Sequence, residues 1–176
     1  LHLAGYRVQR YQPLQNLKEL TQAHAHYADS LGIPVSTQIT DLQDCDLIID
    51  GLFGFGLSRP LADNLASAID QLNSWSKPVI SIDLPSGIQT DTGAILGTAV
   101  RASHTLCLGL WKRAFLQDAA SAYIGTAELI DFGLPLSDIQ AILESCPLRR
   151  ITAQLALSGL PPVSYTHLTL PTKRIV

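Results

Sequence analysis

Two short apolar runs, each closing on an aspartate, constrain this chain more than any other feature. They lie within CDLIIDGLF (45–53) and KPVISIDLP (77–85). A strand with one wet face alternates apolar and polar residues. A continuous apolar run of this length marks a strand of a parallel sheet covered on both faces. Within ten residues of each aspartate come glycine, proline and serine, the residues of a tight turn. The chain therefore delivers two carboxylates, Asp50 and Asp83, to the ends of two buried strands.

The rest of the pattern fits around these runs. YRVQRYQP (6–13) alternates like a strand, and the first four residues read as the end of a helix. Leu14, Leu17, Leu20, His24, Tyr27 and Leu31 fall at helical spacing before Gly32, predicting a helix over 14–32. IPVSTQI (33–39) predicts a short strand. Pro60 suits the first turn of a helix whose apolar face is Leu61, Leu65, Ala68, Ile69 and Leu72. SHTLCLGL (103–110) and GTAELIDFG (125–133) predict strands separated by a helix over 112–123. LSDIQAILES (136–145) predicts a last helix with Ser137 as its cap. Strands alternating with helices give an α/β fold with a mostly parallel sheet. Right-handed crossovers make it a doubly wound, three-layer Rossmann-like arrangement.

Composition narrows the function classes. With 47% hydrophobic and 15% charged residues and a mean hydropathy of +0.21, the 176-residue chain can bury a core and is not a disordered polymer. Its net charge of -3 offers no footprint for nucleic acid. No stretch approaches the roughly 18 to 20 apolar residues of a membrane span, and LHLAGYRVQR (1–10) lacks the features of a signal peptide. The three cysteines, Cys45, Cys107 and Cys146, are scattered and odd in number. That argues against a disulfide framework or zinc site and predicts a reducing, cytoplasmic setting. His24 and His26 lie two apart, not at the four-residue spacing of helical zinc pairs, and read as solvated side chains.

Both ends depart from the pattern. A doubly wound sheet normally opens with a strand and a glycine-rich phosphate turn, and this chain begins on Leu1, past that point, with no Met anywhere. After a domain over 1–146, residues 147–162 read as a linker toward a further domain. Residues 163–176 change character, and Val163 to Thr172 look like a translated sequencing adapter, a foreign tail.

Three constellations carry chemistry. In DLIIDGLFGFGLSRP (46–60), Asp50 ends a strand and a loop with Gly54 and Gly56 follows. Ligands of open α/β sheets bind beyond the carboxyl ends of strands, and glycines let the backbone approach a phosphate. Position 59 is Arg, so the dinucleotide fingerprint is only half present. In VISIDLPSGIQTDTG (79–93), Asp83 ends the next strand, Pro85, Ser86 and Gly87 turn the chain, and Asp91, Thr92 and Gly93 form a second turn. Two neighbouring carboxylates repel, and a cation between them would remove that cost. Asp50, Ser86 and loop carbonyls offer only hard oxygen donors, which suit an alkali or alkaline-earth ion. In LGLWKRAF (108–115), Lys112 and Arg113 follow a strand, which puts one of them at the strand end, where a lysine beside Asp83 could share a proton with it.

The order and spacing of these motifs, with Arg101, Ala102, Thr105 and GTAELIDFGLP, resemble the NAD(P)H-hydrate epimerase domain, the YjeF N-terminal family, over residues 1 to about 145. This domain is often the first half of a bifunctional nicotinamide-nucleotide repair enzyme. The resemblance implies a Rossmann-like fold and interconversion of the R and S forms of hydrated NADH or NADPH, which are substrate and not redox cofactor. It implies a potassium ion at Asp50 and Ser86. It also implies substrate contacts from Gly54, Phe55, Gly56, Leu57, Ser58, Arg59, Pro60 and Asp83, and proton transfer by Asp83 and Lys112. Phe55 departs from the family, where a small residue such as Thr is common. The family's asparagine- and glycine-rich phosphate motif precedes the start of this chain. With strand order 3-2-1-4-5, the strand lost with it would be the central one, between YRVQRYQP and CDLIIDGLF. A fragment with such a hole is expected to be insoluble or inactive.

Other expectations follow. The partner is a small nucleotide, with no nucleic acid or membrane. A fused ADP- or ATP-dependent dehydratase domain and a homo-oligomer are both compatible with the resemblance. A competing reading is a non-catalytic interaction module of the same fold, which has no physical need for a carboxylate, hydroxyl and amine in one cleft. A fragment of an ordinary NAD-dependent dehydrogenase fits less well. It lacks the acidic residue about 20 positions beyond a complete glycine fingerprint.

Overall fold

The computed structural model describes residues 1–143. Their strands and helices are β1 (Arg10–Tyr11), α1 (Glu19–Ser30), β2 (Val35–Ser36), β3 (Ile48–Asp50), α2 (Asp63–Asn73) and β4 (Val79–Ile82). β5 (His104–Leu108), α3 (Asp118–Ile124), β6 (Thr126–Ile130) and α4 (Leu136–Leu143) follow. Single 3-10 turns occupy His2–Ala4, Ile39–Leu42 and Arg113–Leu116. One compact unit spans Leu1–Gly133 and a second begins at Leu134. The linker and tail expected over 147–176, and Cys146, lie outside the described residues.

Among the described residues every pairing between these strands is parallel, and only the isolated Ile88–Ile95 bridge is antiparallel. β3, β4, β5 and β6 form one sheet in chain order. The fold is the expected mixed α/β, Rossmann-like type. β1 and β2 pair with each other, Arg10 opposite Val35, in a separate two-stranded sheet. Among the described residues β3 is therefore the edge strand of its sheet.

Register explains which faces are buried. Ile48 opposes Val79, and Ser81 opposes both Asp50 and Thr105, so these residues share one face with Cys107. All are buried. On this face α2 packs Leu65, Ala68, Ile69 and Leu72 around Ile48, Val79 and Val100. Burying each of the larger side chains is worth about 1.5–3 kcal/mol. A second cluster joins Leu84, Ile88 and Ala99 to Ala114, Ala120 and Ile124.

Several local expectations need correction. The apolar run at 45–53 predicts a strand covered on both faces, yet Ile49 is 47% exposed and Leu47 is exposed too. Ile80 and Ile82, on Ile49's face, are only half-buried. Among the described residues that face lacks a full covering layer. The apolar stripe of the 14–32 helix also stays wet. α1 buries no residue, and Leu20 and Tyr27 are exposed. The stripe has only two-residue strands beside it, too little sheet to cover it. α1 is tied instead by Arg10, whose guanidinium bonds Asp29 and the carbonyls of Ala25 and Ile33. His24 and His26 are exposed on α1, as read.

Pro60 is not in the first turn of α2, which starts at Asp63 with Ala62 as an uncapped N-cap. Asp63 supplies the favourable charge at that helix start. The helix over 112–123 divides into the 3-10 turn and α3. Ser137 lies inside α4 and does not cap it, because the Asp138 and Ile139 amides bond the Pro135 carbonyl.

Candidate active site

The parallel register brings the carboxyl ends of β3, β4 and β5 side by side. β3 ends on Asp50, Asp83 directly follows β4, and Lys112 lies four residues past β5.

Asp50 is 4% exposed and its two oxygens meet four donors. Oδ1 accepts from the Ser86 hydroxyl at 2.6 Å and the Leu52 amide at 3.3 Å. Oδ2 accepts from the Ser81 hydroxyl at 2.8 Å and the Ser86 amide at 2.9 Å. Ser86 in turn accepts from the Phe53 amide at 2.9 Å, and the Phe53 carbonyl lies 3.2 Å from its hydroxyl. Among the described residues no cationic side chain lies within ion-pair reach of Asp50. Such a buried carboxylate is sustained by its donors, since an unpaired buried charge costs several kcal/mol.

Asp83 is held differently. Its φ of 72° is left-handed, a conformation that aspartate tolerates better than most side chains. The turn it makes starts the Pro85–Gly87 corner. There Gly87 has φ 103°, and a Cβ would stand 2.1 Å from the Thr98 carbonyl. The Asp83 carboxylate is 8% exposed by residue, and Oδ1 forms an ion pair with Lys112 Nζ. Oδ1 also accepts from the Leu108 amide at 3.3 Å. Lys112 Nζ donates further to the Leu108 carbonyl at 2.8 Å and lies 3.8 Å from Cys107 Sγ. The ammonium is thus fixed by three partners, two on β5 and one just past β4. Asp83 Oδ2 carries no hydrogen bond among the described residues. It lies against Gly54, where a Cβ would approach to 3.1 Å.

The pairing of Asp83 with Lys112 relieves the repulsion expected between the two strand-end carboxylates. One of them is neutralised by a side chain of the protein, and the other is spread over four donors. Asp50, Ser86 and the Phe53 carbonyl nonetheless form an all-oxygen donor set of the kind a hard cation takes. No cluster of three His, Cys, Asp or Glu side chains exists among the described residues.

The loop residues divide. Gly54 reaches Asp83, and the Gly56 amide bonds Thr90 Oγ1 at 3.3 Å. Leu57 packs on the α2 core, and Phe55 is 76% exposed. Ser58, Arg59 and Pro60 are exposed, and no hydrogen bond or ion pair brings them to the carboxylates. Asp91 and Thr92 form their turn around Gln89 Oε1. Thr105 bonds the Ile124 carbonyl at 2.7 Å, and Arg101 stacks on Tyr123, both bracing α3.

Ser81, Thr90 and Cys107 were missed from sequence. Ser81 had one signal, a polar residue inside an apolar strand. Burial pushes the Cys107 thiol pKa up, and the nearby Lys112 ammonium only partly offsets this. Cys107 is 0% exposed, so iodoacetamide at neutral pH is expected to modify the half-buried Cys45 before Cys107. Peptide mass mapping with time checks this, with Cys107 labelled only once the protein unfolds.

Comparison with known proteins shows the family and the fold. The family model described as "YjeF-related protein N-terminus" matches residues 1–114. The bifunctional NAD(P)H-hydrate repair enzyme Nnr of Thermosynechococcus vestitus is 49% identical over 157 residues, covering 89% of this chain and 31% of that protein. The Synechocystis protein of the same name is 51% identical over 162 residues, covering 92% and 31%. The NAD(P)H-hydrate epimerase of Limosilactobacillus fermentum is 42% identical over 110 residues, covering 62% and 53%. The chain thus spans only about a third of the bifunctional relatives. The crystal structure of yeast ynu0, YNL200c, has the same fold, with TM-score 0.59 at 20% identity over 94% of this chain and 65% of the yeast chain. The match over residues 1–114, which contains every residue of the Asp50 and Asp83 constellations, places the chain in the YjeF-related protein N-terminus family.

Proposed function

We propose that the strand-end site epimerises hydrated NADH and NADPH, interconverting their R and S forms. The observation that carries the reading is the asymmetry of Asp83. One oxygen is pinned by Lys112 and the Leu108 amide, and the other faces the Gly54–Gly56 loop without a hydrogen-bond partner among the described residues. A carboxylate so divided has a fixed direction and one free oxygen for proton transfer. The names of the relatives supply the substrate.

The reaction is balanced without a redox partner. A proton delivered to the hydroxyl on the hydrated ring breaks the C–O bond, and water departs from a delocalised cation. Water then adds to the opposite face and loses a proton to the protein. Asp83 Oδ2 exchanges the proton, and Lys112 holds Asp83 in place and balances its charge. The glycine loop receives the nucleotide, its lack of side chains at Gly54 and Gly56 leaving room for phosphate or ribose.

Potassium at Asp50 and Ser86 is part of the proposal. Its support is the all-oxygen donor set and a buried carboxylate with no cationic partner among the described residues. When bound, the ion would supply positive charge beside the nucleotide loop. Asp50 and Ser86 already join β3, the 52–56 loop and the Pro85–Gly87 corner by themselves.

The reading is tested by following the R and S hydrates of NADH chromatographically. A chimera in which this chain replaces the matching segment of the Thermosynechococcus vestitus relative provides a complete protein. Lys112→Gln in that chimera is expected to slow epimerisation by about 10–100-fold, since it removes the group that orients Asp83 and balances its charge. An unchanged rate would remove Lys112 from the site.

A further inference from the structure

The loop that carries Gly54, Phe55 and Gly56 is hung on side chains. Within residues 52–60, the amides of Leu52, Phe53 and Gly56 are hydrogen-bonded, and none of these bonds goes to a backbone carbonyl. Their acceptors are Asp50 Oδ1, Ser86 Oγ and Thr90 Oγ1. The first two belong to the Asp50 knot at the root of the loop. Thr90 alone of the three reaches its far side, at a glycine with φ 96°.

Thr90 also faces the opposite way. Its carbonyl accepts the Ala114 amide at 2.8 Å, two residues beyond Lys112. One residue therefore joins the glycine loop, through its hydroxyl, to the turn that carries the lysine, through its backbone. On the same loop, Gly54 lies against Asp83 Oδ2.

We infer that Thr90 is a positioning residue: it sets the distance between the glycine loop and the Asp83–Lys112 pair, and so how tightly the nucleotide is gripped. The inference rests on the proposed epimerase reading for its substrate but not for its structural content. Losing the bond at Gly56 would still leave Asp83 and Lys112 paired. Losing the Thr90 hydroxyl should therefore weaken binding and spare the chemical step.

The test uses two substitutions. Thr90→Val keeps the shape and the backbone bond to Ala114 but removes the acceptor. Thr90→Ser restores the acceptor. In the chimera, amide exchange followed by NMR is expected to quicken at Gly56 by about three- to ten-fold in T90V, with Ala114 unchanged, and to return toward normal in T90S. In the same protein, KM for the NADH hydrates is expected to rise about three- to ten-fold in T90V, with kcat within about two-fold and rescue in T90S. Equal Gly56 exchange in wild type and T90V would overturn the inference, as would a fall in kcat at constant KM. If the wild-type chimera does not epimerise at all, the functional reading fails, and the exchange comparison still decides whether Thr90 holds the loop.

Discussion

Replacing Asp83 with asparagine is expected to lower epimerisation by about 10²–10⁴-fold while leaving the protein folded. Asparagine is the informative substitution because it shares aspartate's tolerance of the left-handed backbone found at φ 72°. Alanine would confound loss of the carboxylate with strain in the corner that leads to Pro85 and Ser86. The amide side chain of D83N would keep an oxygen for Lys112 and the Leu108 amide, so the local bonds survive. What it cannot do is take and return a proton. The check is a rate measured on the chimera beside a thermal melt. A rate near wild type with an unchanged melt would remove Asp83 from the mechanism.

Asp50→Asn is expected to act on stability first. The wild-type carboxylate accepts from four donors: two hydroxyls, from Ser81 and Ser86, and two amides, from Ser86 and Leu52. An asparagine offers one acceptor oxygen and an NH2 group, so at least one buried donor loses its partner. That costs about 1–3 kcal/mol, a fall of roughly 3–10 °C in melting temperature for a domain of this size. The same residue tests the cation. If potassium binds at Asp50 and Ser86, the wild-type melt should rise in KCl over NaCl of equal ionic strength, because a ligand that binds only the folded state stabilises it. Asp50→Asn should abolish that difference. Identical melts in the two salts for the wild-type chimera would remove potassium from the site.

The strand ends were legible because an apolar run terminated by a carboxylate states both where a strand stops and what it presents. Asp50, Asp83 and Ser86 follow from that rule; the place beyond the next run points to Lys112 or Arg113, and only the family resemblance chooses Lys112. Other features had no such local signature. Ser81 meets Asp50 only through the β3–β4 register, and Thr90 meets Gly56 across 34 residues of chain. Strand pairing is likewise a long-range matter. YRVQRYQP and IPVSTQI each gave two paired residues, joined to each other and not to β3. The stripe on α1 was real as a pattern but had too little sheet to bury itself against. Pro60 reads as a helix start because proline fits there. Here it lies three residues earlier, with Leu61 packed on the core before Asp63 begins α2.

Interconversion of the two hydrate epimers at the strand-end site is tested most directly by giving the chimera the S-hydrate of NADH alone and recording the R to S ratio with time. An active site at Asp83 predicts that the mixture reaches its equilibrium ratio far faster than in buffer, and at close to the buffer rate with D83N. A folded wild-type chimera that leaves the ratio drifting at the buffer rate would contradict it.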